Sequence, residues 1–224
     1  MKLIAISGKK QSGKTTAIKD LQSRIDVCEV LNFADCLKEL VFSYFAAPTE
    51  EYKHTIHEPF MTEESKQLKH PCGKTYRELL QIIGTDMFRG LWPEIWIENY
   101  KFRAGILCTD YPQELTILTA DVRFPNEVKC IQELGGHVIR LLRNPFGDKH
   151  ESETALDLME RFSLDGGVAV HCIPSNPEDD NYEGQVRLLD NLNIRFDAVL
   201  DNRNMNIPEQ NKAVIELIKE RKWL

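Results

Sequence analysis

Eight consecutive residues, Gly8-Lys9-Lys10-Gln11-Ser12-Gly13-Lys14-Thr15, match the spacing G-x-x-x-x-G-K-[ST] without a break. Each fixed position has a chemical reason. Glycines at 8 and 13 let the backbone turn sharply and bring its N–H groups close to phosphate oxygens. A helix beginning at Lys14 adds partial positive charge at the same point. The Lys14 ammonium reaches the outer phosphates of a nucleoside triphosphate such as ATP, and the Thr15 hydroxyl can ligate Mg2+. Gly8, Lys9, Gln11, Ser12, Gly13, Lys14, Thr15 and Thr16 are thus the candidate donor-nucleotide residues.

Two further groups could do chemistry. The apolar run Leu115–Ala120 ends in Asp121, and an acid closing a buried strand beside a phosphate loop is the expected second carboxylate on the Mg2+ side. Arg123 follows in the loop before Pro125 opens a helix, at the edge of a sheet where ligands bind. A local turn salt bridge is the plainer reading of Asp121 and Arg123; their convergence with the phosphate loop favours function. Arg77, Gln81, Thr85 and Arg89 recur every four residues and form one polar stripe. Such a stripe could hold a phosphate and a base edge, but spacing alone favours a solvated helix face.

Strands are predicted over 2–7, 27–33, 115–121, 137–142 and 196–200. Helix 14–25 buries Ile18, Leu21 and Ile25. Helix 35–46, capped by Asp35 and stopped by Pro48, has Leu37, Leu40, Val41, Tyr44 and Phe45 as its apolar side. Thr75-x-x-Glu78 is a capping box opening a helix that buries Leu79, Leu80, Ile82, Ile83 and Met87. Gly84 inside it signals close backbone approach or a bend. Pro93 opens a helix to about Arg103, and 104–114 read as a loop. Helices are also expected from Pro125 to the Gly135-Gly136 break, before Phe162, and from Pro208, with Val214, Ile215, Leu217 and Ile218 apolar. Residues 47–74 and 163–193 show little period, apart from a short helix near 183–190. Alternating strands and helices indicate one α/β domain with a parallel sheet.

The 224 residues carry a formal net charge of −7, with 42% hydrophobic and 28% charged residues. This is ordinary for a soluble globular protein and argues against a nucleic-acid partner. Neither a signal peptide nor a membrane span is expected. Six scattered cysteines without a C-x-x-C pair read as reduced thiols of a cytoplasmic protein, with no zinc site. His54 and His57 lack a third ligand at a suitable spacing and read as a solvated pair.

Phe33-Ala34-Asp35-x-Leu37-Lys38, Arg77-x-Leu79-Leu80-Gln81-x-x-Gly84-Thr85-Asp86-x-x-Arg89, Trp96 and Asp121-Val122-Arg123-Phe124-Pro125-Asn126-Glu127 together resemble the deoxynucleoside monophosphate kinases of tailed bacteriophages. His150-Glu151-Ser152-Glu153 is similar to that family's H-x-[ST]-E segment. Val199-Leu200-Asp201-Asn202 is similar to its last strand and turn, where the family reads Asn-Asp. The resemblance covers most of the chain in order, but not 47–73 or 163–193. It implies a P-loop nucleoside monophosphate kinase fold: three α/β/α layers with a five-stranded parallel sheet, a helical substrate-binding flap over about 35–104 and a lid over 143–163. The implied reaction is ATP + dNMP → ADP + dNDP with Mg2+. By the resemblance, Arg77 and Arg123 grip the acceptor phosphate, and Gln81, Thr85 and Asp86 face its base or sugar. Asp35, Lys38, Arg89, Trp96 and Glu153 also stand on the substrate side. Arg143 and Lys149 serve as lid charges, and Asn202 lies near the donor adenine. The implied partners are small nucleotides in a cytoplasm, the host's if phage-encoded; a homodimer is among the assemblies open to it. Two rivals share parts of the pattern. Dephospho-coenzyme A kinase has a similar F-A-[DP]-x-L-K segment, against which the Gln81-x-x-Gly84-Thr85-Asp86 block counts. A non-catalytic nucleotide-binding regulator would not need Arg77, Arg89 and Arg123.

Overall fold

The computed structural model describes residues 1–45, 65–110, 115–146, 155–157 and 194–224. His54, His57, Lys149, His150, Glu153, the expected helix near 183–190 and most of the 143–163 segment lie outside the described residues. The chain forms two compact units, Met1–Asn32 with Phe102–Leu224, and Phe33–Lys101.

The first unit contains β1 (Lys2–Gly8), α1 (Lys14–Gln22), β2 (Cys28–Val30), β3 (Thr116–Val122), α5 (Pro125–Glu133), β4 (His137–Leu141), β5 (Ala198–Leu200) and α6 (Ile207–Arg221). Its sheet has five strands in the order β2-β3-β1-β4-β5, and every pairing is parallel. β1 is central and buried from Leu3 to Gly8, which is why it reads as an unbroken apolar run rather than an alternation. Ile4, Ile6, Leu118, Ile139 and Leu141 project from one face onto Ala17, Ile18 and Leu21 of α1 and Val214 and Ile218 of α6. α5 backs the other face: a Cβ at Gly136 would stand 2.7 Å from Leu3 Cδ2 and 3.0 Å from Ile131 Cγ2. Parallel strands bring all their carboxyl ends to one edge, so the segments after β1, β3, β4 and β5 share it.

The second unit holds α2 (Asp35–Phe45), α3 (Tyr76–Gln81), a π-helix (Ile82–Arg89) and the first turns of α4, which runs Ile95–Asp110. Thr75 caps α3 as expected: its side chain accepts from the Glu78 N–H over 3.2 Å, and Glu78 Oε2 accepts from the Thr75 N–H over 2.7 Å. The expected continuous α-helix gives way at Ile82 to π winding, in which the repeat lengthens toward five residues. The buried face therefore steps from Leu79 to Ile83, and half-buried Phe88 follows, its ring 5.7 Å from that of Trp96. Met87, expected inside, is 58% exposed. Gly84 is the close approach that its position suggested, because a Cβ there would stand 2.3 Å from Leu37 Cδ2. Tyr44, expected on the apolar side of α2, is 80% exposed, while Leu37 and Val41 are buried. The loop expected from 104 is helical to Asp110, since one exposed glycine at 105 costs only about 1 kcal/mol and does not end a helix.

Candidate active site

The phosphate loop leaves β1 at Gly8 and enters α1 at Lys14. Gly13 has φ 99° and Gln11 φ 56°, both in the left-handed region, so the loop contains one position where glycine is needed and one where a side chain is strained. A Cβ at Gly8 would stand 2.5 Å from Ser12 Oγ, so the first glycine makes room for a buried hydroxyl. Lys14 is buried, and its ammonium donates to the carbonyls of Gly8 at 2.7 Å and Lys9 at 2.6 Å. Gln11, Thr15 and Thr16 are exposed.

On the neighbouring strand, the pairing Ala5↔Thr119 is followed by Ser7↔Val122, so β3 carries one extra residue at Ala120–Asp121. Such a bulge re-aims a side chain and is common beside active sites. Asn32 Oδ1 accepts the Ala120 N–H over 2.9 Å and so ties down the irregular point. Asp121 is half-buried there. The next turn is held by buried Glu127, whose Oε2 accepts from the N–H groups of Arg123 at 2.7 Å and Phe124 at 3.1 Å. This places Arg123 at the sheet's carboxyl edge, where its sequence position put it.

Arg143 and Asn202 follow β4 and β5 at that edge. The Arg143 guanidinium donates to the carbonyls of Asn202, at 2.8 Å, and Met205. Asn202 is fully buried, and its amide donates over 2.8 Å to the Ser12 carbonyl. Three neighbours of the loop escaped the sequence reading. Gln210 is fully buried on α6 and donates over 3.1 Å to the Gly13 carbonyl. Asp157 pairs with Lys9 and stands 3.8 Å from Arg140, which is 2% exposed. A signal existed for two of them: Gln210 lies on the apolar stripe with Val214 and Ile218, and Arg140 lies amid the buried residues of β4.

In the second unit, Asp35 and Lys38 pair with each other at 2.8 Å. Arg77 and Gln81 are half-buried, Thr85 is buried and Asp86 exposed. Arg89 donates to the Pro93 carbonyl over 3.2 Å. Trp96 is buried, and its indole N–H donates to the Gly84 carbonyl over 2.9 Å.

Among the described residues no group of three or more His, Cys, Asp or Glu side chains could hold a metal ion. The hydroxyl of Thr15 and the carboxylate of Asp121 nevertheless fit Mg2+, which takes one or two protein oxygens and completes its shell with phosphates and water. Among the described residues the cysteines at 28, 36, 72, 108 and 130 are free thiols, and no helix is long and apolar enough to cross a membrane.

No protein-family model matches the chain. A protein of Acanthamoeba polyphaga mimivirus described as "Putative deoxynucleotide monophosphate kinase" is 32% identical over 176 residues, which span 73% of this chain and 86% of that protein. Among solved structures, a shikimate kinase from Acinetobacter baumannii in complex with shikimate aligns with a TM-score of 0.38 and 14% identity, over 99% of this chain and 95% of that one. A dephospho-CoA kinase from Campylobacter jejuni aligns with a TM-score of 0.41 and 14% identity, over 98% and 96%.

Proposed function

The chain belongs to the deoxynucleotide monophosphate kinase family, and from that premise we propose that it transfers the γ-phosphate of ATP to a deoxynucleoside monophosphate, giving ADP and a deoxynucleoside diphosphate. The observation that carries the reading is the intact phosphate loop at the carboxyl edge of the sheet, with Asp121 near the end of the adjacent strand and Arg123 just after it. An oxygen of the acceptor phosphate attacks the γ-phosphorus, and the bond to the β–γ bridging oxygen breaks. Such a reaction needs positioning and cancellation of negative charge more than covalent chemistry.

The loop amides and Lys14 hold the donor's β- and γ-phosphates. Lys14 exchanges its two carbonyl acceptors for phosphate oxygens, which are better partners for an ammonium. Thr15 and Asp121 are the side chains that would hold Mg2+, which neutralises charge on those phosphates when bound. Arg123 binds the acceptor phosphate, for which a guanidinium supplies a two-pronged contact. Arg77, Gln81, Thr85 and Asp86 bind the acceptor nucleotide. Arg143, whose guanidinium rests on the carbonyls of Asn202 and Met205, supplies positive charge beside the transferring phosphate once it exchanges them for phosphate oxygens.

The test is incubation with Mg-ATP and each deoxynucleoside monophosphate in turn, with nucleotide products separated by chromatography. A deoxynucleoside diphosphate formed by the unaltered chain and not by Lys14→Ala, with the variant still folded by circular dichroism, is the expected result. ATP binding with no acceptor phosphorylated would indicate a regulatory nucleotide-binding protein. Phosphorylation of dephospho-coenzyme A instead would move the chain to a different substrate class.

A further inference from the structure

Two buried amides lie behind the phosphate loop, and their hydrogen bonds admit one orientation each. The Arg143 backbone N–H can only donate, so it faces Asn202 Oδ1, at 2.8 Å. Asn202 Nδ2 is thereby turned to two acceptors, the Ser12 carbonyl at 2.8 Å and Gln210 Oε1 at 2.6 Å. Gln210 must then present its Nε2 to the remaining acceptor, the Gly13 carbonyl, at 3.1 Å. Asn202 and Gln210 are both 0% exposed.

The peptide unit is planar and trans, so a carbonyl pinned on one side of the chain fixes the next N–H on the other. The Ser12 carbonyl shares its peptide with the Gly13 N–H, and the Gly13 carbonyl shares its peptide with the Lys14 N–H. These N–H groups stand at the entry to α1, where a phosphate loop presents its donors. Gly13 has a second reason to be glycine: a Cβ there would fall 2.4 Å from Gln210 Oε1 and 2.5 Å from its Nε2. The amide of Gln210 occupies the space that every other residue type at 13 would need.

We propose that Asn202 and Gln210 are positioning residues for the donor phosphates, Asn202 setting the Gly13 N–H and Gln210 the Lys14 N–H. This rests on the donor-nucleotide reading of the loop given above. Neither side chain touches the nucleotide; each acts through a backbone carbonyl. Their removal weakens the hold on the donor and leaves the acceptor site alone.

The experiment measures binding of ATP, and separately of inorganic tripolyphosphate, by calorimetry without acceptor, for the unaltered chain, Gln210→Met and Gln210→Glu. Gln210→Glu keeps the side-chain volume and the acceptor for Asn202, so it tests the loop in a folded protein should the methionine variant fail to fold. The expected result is at least tenfold weaker binding of both ligands. In the steady state, KM for ATP rises with KM for the deoxynucleoside monophosphate unchanged. A merely structural residue would instead lower Tm and the active fraction with both KM values intact. ATP bound within twofold by a folded variant overturns the proposal while leaving the donor site standing. An unaltered chain that binds neither ligand overturns the donor-site reading and this proposal together.

Discussion

The Arg140 guanidinium donates to the Ser7 hydroxyl over 3.0 Å, and that hydroxyl donates onward to the Val122 carbonyl over 2.9 Å. Three neighbouring strands, β4, β1 and β3, are thus stitched together beneath the phosphate loop. Arg140 is 2% exposed and also lies 5.6 Å from the centre of the Phe196 ring. Arg140→Ala is expected to cost about 2–3 kcal/mol in urea unfolding, because it removes a charge-assisted bond and empties a buried volume. Asp157→Asn is expected to cost less than about 1 kcal/mol, since the Asp157 side chain is 41% exposed and water screens its pairing. Equal losses in the two variants would place the stabilisation in the ion pair instead of in the bond to Ser7.

Asp121 at the bulge sets a second expectation. Asp121→Asn should retain nucleotide binding and lose most of the Mg2+-dependent rate. Asn32→Ala removes the acceptor for the Ala120 N–H, worth about 1 kcal/mol, and should raise the Mg2+ concentration needed for half-maximal rate. Initial rates over a Mg2+ series decide. An unchanged metal dependence in both variants would make Asp121 a structural turn residue.

The two arginines proposed for the acceptor are Arg77 in α3 and Arg123 after β3. Truncation of either to alanine should raise KM for the deoxynucleoside monophosphate and lower kcat, with little change in KM for ATP. A charge-assisted contact worth about 1.5–3 kcal/mol corresponds to roughly 10- to 100-fold in kcat/KM. Lysine should rescue only in part, because an ammonium lacks the fork. An arginine on a solvated face would change both constants by less than about 0.5 kcal/mol, without preference between substrates.

The turn after β5 makes a prediction about acid. Asp201 accepts the Arg203 guanidinium at 2.6 and 2.9 Å and the Arg203 N–H at 3.2 Å, and these bonds hold its carboxyl down at about 2, from an ordinary 3.8. The folded value is the lower one, so the stabilisation is complete above the ordinary value and is lost as pH falls from there through about 2. Carbon NMR of the Asp201 carboxyl should show its midpoint near 2, moving up toward 3.8 in Arg203→Ala. A midpoint unmoved by that substitution would assign the depression to another group.

Much of the first unit was legible in the chain because it is local. The phosphate loop, its strand and its helix are contiguous, and the apolar runs of β1, β3 and β4 mark buried parallel strands. The π winding over Ile82–Arg89 was not legible, because nothing in the local period announces it; Leu37 against Gly84 and the Trp96 indole on the Gly84 carbonyl are contacts across the unit. That Asn202 lies in the turn after the last strand was legible. What its amide holds was not, since that depends on Gln210 and on a carbonyl far away in sequence.

The bonds that hold the two loop carbonyls span 190 and 197 residues. A chain is synthesised at about 5–20 residues per second, so the phosphate motif leaves the ribosome roughly 10–40 s before its braces do. During that interval β1 also waits for β3, its partner from Lys2↔Thr116 onward, and long-range parallel pairing is slow to close. A nascent chain halted before Asn202 carries the whole motif with neither amide behind it. On the proposed role of the two amides, a tight hold on the donor phosphates waits for residues made 190 and 197 positions after the loop carbonyls they brace.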